Sequence, residues 1–410
     1  MKSGVLLLFL AGAACAQDDL DLIPAAPAEP RTSEAVAGQR LYIENAFTLS
    51  SNRAVPGLAA PFDWQERLLF DMRKEWTLDD QLQLVYSGRF NLRAENDIAI
   101  PNHEDALFDL REAYLAWRPA DDLYLDLGRI NLKSGVALGF NPTDYFKTRS
   151  VVEPLSSDPT VLREDRLGTL MLRAQYIGGF GSLTLAAAPE VTHATPIYSN
   201  TDLHAFDPSF DRTNATDRFL AKGSFTLSDD LSPEVLVYHE NGRTAYGLNL
   251  ADNFGQSWVG YLEYSGSQHT GLADRGGFRS QLSAGASYTT ESKITFNFEY
   301  HFDQDSFTHA AAAPWYLRGL AQDRQEPIGR HSLFLRADWV DAFVPRLELT
   351  GFLNTDLYDG SSLAEANAAY YLSDVWTVGG QVTANLGGRH TDFGSLPQSL
   401  TTMVQITRYF

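Results

Sequence analysis

Arginine is the residue type whose spacing here most suggests chemistry. Arg67, Arg73, Arg89, Arg93, Arg129, Arg173, Arg279 and Arg336 each stand on the polar side of an alternating segment, and Arg40, Arg218, Lys222 and Arg346 occupy comparable places. A guanidinium keeps its charge at any working pH and presents a planar fork of donors that matches carboxylates and phosphates. Glu44, Asp71, Glu75, Glu299, Asp338, Glu348 and Glu365 fall on the same sides. The cations outnumber these acids, and two chemistries follow. An excess of guanidinium along a low-dielectric wall concentrates and orients anions. Alternatively, the arginines pair with the acids and stiffen the wall. Around Arg111, Glu112 and Arg129 the alternation does not decide which side each residue takes.

A second group lies in residues 136–166. It holds Phe140-Asn141-Pro142-Thr143-Asp144-Tyr145-Phe146, then Lys147, Arg149, Glu153, Asp158, Arg163, Glu164, Asp165 and Arg166. Asn-Pro favours a turn. Phe140, Tyr145 and Phe146 need cover, which the segment obtains by folding inward as a constriction or by packing on a rim. Residues 307–325, with Pro314-Trp315-Tyr316, form a similar candidate. Other chemistry is weakly marked. The nine His include no pair at metal spacing on one strand face. Asp202, Asp207, Asp211 and Asp217 could ligate calcium or form a solvated acidic loop. Gly178-Gly179-Phe180-Gly181 lacks the following helix that a phosphate-binding loop needs. No enzyme class and no cofactor is indicated.

These residues must be positioned by strands. From residue 39 onward, segments of about ten residues alternate apolar and polar, the period-2 pattern of β-structure. In 294–302, Ile294, Phe296, Phe298, Tyr300 and Phe302 share one side, and Thr295, Asn297, Glu299 and His301 the other. In 82–93, Leu82, Leu84, Tyr86, Phe90 and Leu92 oppose Gln83, Ser87, Arg89, Asn91 and Arg93. Trp64 and Trp76 stand twelve positions apart on one apolar side, enough to reach both borders of an apolar band about 25 Å tall when the strand tilts 35–45°. About eighteen strands are expected, with sixteen as the alternative. Their connections alternate between short turns, such as Leu78-Asp79-Asp80 and Ser373-Asp374, and mostly longer segments.

Composition is consistent with this. Mean hydropathy is -0.23, and no stretch after residue 16 reaches the roughly 18 to 20 apolar residues of a spanning helix. Strands that alternate lipid-facing and lumen-facing side chains average to just such a value. Lys2, the apolar run 5–14 and Ala14-Cys15-Ala16 read as a cleaved secretory signal over 1–16, with acylation of Cys15 as the alternative. Cys15 is the sole cysteine, so a chain cleaved after Ala16 has no disulfide and no thiolate site. Residues 17–38, acidic and rich in Ala and Pro, read as a disordered lead-in. A formal charge of -20 argues against nucleic acid as a partner.

The chain ends in Val404 to Phe410, closing on Tyr409-Phe410. An aromatic terminus preceded by alternating apolar residues resembles the signal that outer-membrane proteins present to their insertion machinery. Arg408 departs from that pattern. Together with the strand ladder, this makes residues 39–410 similar to Gram-negative outer-membrane porin-type barrels. Gly128-Arg129-Ile130-Asn131 running into Asn141-Pro142-Thr143-Asp144 is also similar to a pattern in porin-like families. Strand number and arginine content resemble, more loosely, the alginate-export family. The resemblance implies a single closed antiparallel barrel in outer-membrane lipid, with short periplasmic turns and long outer loops. A homotrimer is the assembly porins often adopt. Three functions are implied: a channel for small hydrophilic and anionic solutes, an exporter of an anionic polysaccharide, or a structural barrel with a closed lumen.

Overall fold

In hydrocarbon an unpaired sheet edge has no water to satisfy it, so a spanning sheet must close. The computed structural model describes residues 39–55, 62–96, 106–151, 154–194, 208–228, 231–268, 277–309 and 315–410. The signal and lead-in segments, 1–16 and 17–38, lie outside them.

Eighteen strands follow one another around a single sheet. They are β1 (Gln39–Asn52), β2 (Trp64–Thr77), β3 (Leu82–Glu95), β4 (Ala106–Ala120), β5 (Leu123–Ile130), β6 (Thr169–Gly178), β7 (Gly181–Ala188), β8 (Arg218–Phe225), β9 (Glu234–Glu240), β10 (Arg243–Phe254), β11 (Trp258–Gln268), β12 (Phe278–Thr289), β13 (Ile294–Asp303), β14 (His331–Trp339), β15 (Leu347–Asp356), β16 (Ser362–Tyr371), β17 (Trp376–Leu386) and β18 (Gln398–Tyr409). Each pairs antiparallel with the next, and β1 pairs with β18 from Tyr42↔Tyr409 onward, which closes the barrel. Short turns and longer loops alternate as expected, except that β9–β10 and β15–β16 also close tightly at the long-loop end. Asn241-Gly242 makes the first of these turns, with φ of 51° and 71°, the left-handed pair that a two-residue hairpin requires.

The alternation is realised as inside and outside. On β13, Phe296 and Phe298 are outward and about half exposed, while Asn297, Glu299 and His301 are buried inside. Trp64 and Trp76 face outward at opposite ends of β2. No helix among the described residues is long and apolar enough to cross a membrane.

Three departures have local causes. Alternation extends β5 to residue 135 and starts β6 at 164, but the chain leaves the sheet after Ile130 and returns at Thr169. Asp158 caps the helix α1 (Pro159–Asp165) by accepting from the Thr160 N–H at 2.9 Å, with Pro159 in its first turn. Between β3 and β4 the register shifts at Ser87/Gly88. This bulge lets both Arg111 and Glu112 turn inward, so no period-2 rule could place them. Arg346 is not on the wall. It sits at φ 70° in the turn before β15, half exposed, 3.5 Å from Asp374. Arg408 faces outward at the short-turn end, its guanidinium over Trp376 and Phe410 at 5.6 and 4.7 Å. There the aromatic faces hold the cation.

Candidate pore and its constriction loop

Residues 131–151 and 154–168 fold into the barrel, and Glu153 lies outside the described residues. Two glutamates of the wall hold the segment where it crosses the lumen. Glu299 on β13 accepts from the backbone N–H groups of Leu138 and Gly139 at 2.6 and 2.8 Å, and from the Tyr261 hydroxyl at 2.7 Å. Its other neighbour is His301 Nε2 at 2.7 Å. Glu263 on β11 accepts from the Ala137 N–H and from the Asn141 amide at 3.1 Å, with the Thr143 hydroxyl also 3.1 Å away. Hydrogen bonds to an ionised acceptor contribute roughly 1.5–3 kcal/mol each, and the desolvated carboxylates are satisfied by the loop itself. Close approach requires glycine. A Cβ on Gly139 would lie 2.6 Å from the Phe334 ring, and one on Gly135, at φ +88°, would lie 2.5 Å from the Glu263 carboxylate.

Apolar contacts complete the docking. Phe146, Ile130 and Leu132 pack on Met171, Ala186, Leu220, Leu236 and Tyr238, inward residues of β6 to β9. Tyr145 stacks on Tyr238 with ring centroids 4.6 Å apart. Ala137 packs on Ala251, Val259 and Tyr261. Phe140, Tyr145 and Phe146 thus obtain the cover their types demand, inside the barrel.

Two further loops lock the first. Arg212, in the helical turn α2 (Phe210–Thr213), donates to the carbonyls of Arg149 and Val151 at 3.1 and 2.8 Å. Gln325, just after α3 (Trp315–Arg324), donates to the Lys147 carbonyl at 2.9 Å. Of the second candidate, 307–325, the end at Asp323 and Gln325 holds the inward loop at Arg149 and Lys147, and residues 310–314 lie outside the described residues. Between these loops and β9–β12 lies a cavity of about 290 Å³, lined by Asp144, Lys147, Tyr238, Arg243, Arg324 and Glu326 among others.

Most of the arginines expected on the wall do face inward, and acids meet them. Arg67 pairs with Glu44 at 2.7 Å, and Arg173 with Asp126 at 2.7 Å. Arg89 and Arg111 share Asp71 and Asp165 at 2.6–3.2 Å. Arg336 pairs with Asp158 of the loop at 2.6 Å and with Asp338 at 2.8 Å. Arg279 stands 3.5 Å from Asp305, Arg218 3.3 Å from Glu240, and Lys222 3.1 Å from Glu234. Arg129 donates to the Gly168 carbonyl at 2.9 Å and to that of Pro208. Arg93 faces inward opposite Arg67 in the register of β2 and β3. Arg40 and Arg73, paired in register near the short-turn end, keep the most exposure, 34% and 39% of their side chains. Of the loop candidates, Asp144 accepts from Arg166 at 2.7 and 3.1 Å. Burial pulls its carboxyl upward, but Arg166 and Arg163 outweigh this and hold it below the usual carboxylate range. Lys147 is buried, which lowers its pKa, and it donates to the Asn141 carbonyl at 2.7 Å with its ammonium over Phe140. Arg149 adopts φ 59°, where the chain turns under the covering loops.

Opposite the docked loop the wall is largely uncovered, the loop reaching it through Ser156, whose hydroxyl donates to Glu365 at 3.3 Å. Inward residues of β15–β18 and β1 are mostly partly exposed: Thr350, Asn354, Asn367, Tyr371, Gln381, Thr383, Asn385, Thr401, Gln405, Tyr409 and Tyr42. The lumen is thus filled along β6–β14, lined by paired arginines and carboxylates along β1–β5, and lined mainly by uncharged polar groups along β15–β18.

Sequence reasoning does not single out Glu263 or Asp126. In Trp258–Gln268 the inward side begins Val259, Tyr261, as apolar as the outward Trp258, Leu262 and Tyr264. The contrast that assigns faces is lost where an apolar loop docks inside. Of the four loop aspartates considered as a calcium site, Asp202 and Asp207 lie outside the described residues. Asp217 accepts from the Glu190 N–H at 2.8 Å.

No family model matches the chain, and no curated protein sequence matches it significantly. Solved structures do. Pseudomonas aeruginosa OccK5 (OpdH) superposes with a TM-score of 0.56 at 11% identity, covering 91% of this chain and 97% of that one. Acinetobacter baumannii OccAB4 gives 0.56 at 9% identity over 91% and 97%, and Pseudomonas aeruginosa OccK11 (OpdR) 0.51 at 15% over 91% and 95%. The chain has the fold of these porin-type barrels, closed, antiparallel and eighteen-stranded.

Proposed function

We propose that this protein is an outer-membrane channel for small hydrophilic solutes, exported by the signal at residues 1–16 and inserted through its C-terminal strand. One observation carries the reading. A loop is built into the lumen and fixed to the wall by Glu263, Glu299 and Arg336, while one sector of polar wall is left largely uncovered. A barrel serving only as a structural element would need neither the inward loop nor a hydrated lining. Such an arrangement sets the bore and exposes chosen groups to whatever passes. Ser332, His301 and Glu299 do stand in line on the wall, with His301 3.3 Å from the Ser332 hydroxyl and 2.7 Å from Glu299, but all three are buried and Glu299 is taken up by the loop backbone. The described residues hold no cluster of metal ligands.

The anion preference implied by the number of arginines draws on a narrower base. Arg40 and Arg73 favour it, being partly exposed near the short-turn end, although each also meets carboxylates, Asp71 at 3.4 Å for Arg40 and Glu75 and Glu112 at 3.1 and 3.2 Å for Arg73. The deeper arginines lie against carboxylates and contribute little net field. Planar-bilayer recording of the full mature chain tests both levels. Discrete single-channel steps are expected. Their absence under all voltages would leave a closed structural barrel. Reversal potential in a salt gradient then reads selectivity, and a cation-selective value would end the anion reading alone.

A further inference from the structure

We infer that the largely uncovered lane along β15–β18 and β1 is built to pass neutral, hydroxyl-rich solutes of the sugar type in preference to anions. This rests on the channel reading above and names the solute class for it. From Leu347 to Tyr409 the only cationic side chains of Lys or Arg type are Arg389, in a loop, and Arg408, on the outward face. The inward face of these four strands therefore holds no ammonium or guanidinium. It holds in-register rows of carboxamides and hydroxyls instead. Thr350, Asn367 and Gln381 stand side by side across β15, β16 and β17, and Thr383 and Thr401 across β17 and β18.

Groups of this kind both donate and accept, as a sugar hydroxyl does. Glu365 fixes several of them. It accepts from the amides of Asn367 and Gln381 at 2.9 Å each, from the Thr383 hydroxyl at 3.0 Å and, at 3.3 Å, from the hydroxyl of Ser156 in the docked loop. Side chains held this way keep their orientation without loss of further rotamer freedom when a solute arrives. The lane ends on tyrosines. Tyr42 and Tyr409 lie 5.5 Å apart between ring centroids, and the Tyr371 hydroxyl donates to Glu348 at 2.8 Å. Tyrosine offers an apolar body and a polar tip, complementary to a sugar ring with a C–H face and a hydroxyl edge. The inward charges on β15–β18, Glu348, Asp356 and Glu365, carry the sign that opposes anion entry; on β1, Glu44 is paired with Arg67 and Arg40 stands 3.4 Å from Asp71.

Liposomes carrying the full mature chain provide the test, with swelling rates in glucose and in sodium gluconate, a pair of similar size that differ by a carboxylate. Glucose is expected to enter at least about threefold faster. A gluconate rate equal to or above that of glucose, with bilayer currents present, overturns the inference and leaves the channel reading standing. Entry of neither solute, with no current, overturns both. Gln381→Arg places a cation in the lane and is expected to shift the ratio toward gluconate by at least about threefold. An unchanged ratio, in protein whose fold is verified by heat-modifiable gel migration, overturns the assignment of the path to this lane.

Discussion

The lumen has two sectors that solve opposite problems with the same alternating strands. Along β6–β14 the inward side chains are buried, and they comprise apolar residues, carboxylates and arginines that the loop neutralises or covers. Along β15–β18 they are mostly partly wet and carry no ammonium or guanidinium. The difference teaches that charge on a barrel wall does not by itself describe its solute path. Arg89, Arg111 and Arg336 are engaged in holding the loop and its neighbours, whereas Asn367, Gln381 and Thr401 stay partly exposed. Fixed charges are placed where they are desolvated and paired, and weakly interacting groups where passage requires release.

Variants that break this contrast should differ widely in cost. The largest effect is expected for Arg336→Ala, which leaves Asp158 and Asp338 buried without their cation. Truncating one member of such a cluster costs about 3–5 kcal/mol, read as a lowered midpoint in denaturant titrations of vesicle-inserted protein. Next comes a pair that separates faces. Phe298→Arg, at the middle of an outward face, should cost about 2–4 kcal/mol. Thr401→Arg, on the wet inward face, should stay within about 0.5 kcal/mol. Equal costs would contradict the division of faces. The smallest effect concerns Asp144. Its carboxyl titrates below the ordinary value of 3.8, so its contribution is complete above that value and is lost as pH falls through the lower one. Open-channel noise should therefore remain flat from pH 6 to about 4 and rise only below that. Asp144→Asn should remove the dependence.

The strand ladder is legible in the sequence because a barrel in lipid enforces period-2 contrast on every spanning segment, as 294–302 shows. The inward loop is legible in part, since Phe140, Tyr145 and Phe146 require cover that a solvated loop lacks. The clamp is harder to see. Glu263 lies on a face whose neighbours are apolar because the loop covers them, and Arg111 and Glu112 share a side only because of a bulge. Such features arise from contacts between segments more than a hundred residues apart, such as Ala137 with Glu263, and no local pattern encodes them.

We propose that residues 131–151 and 154–168 set the bore from inside the barrel. Single-channel conductance of Glu263→Ala/Glu299→Ala beside the unaltered chain tests it most directly. Loss of both anchors should free the loop and raise conductance at least about twofold, with added noise. Identical conductance and identical noise in the two proteins would contradict the account.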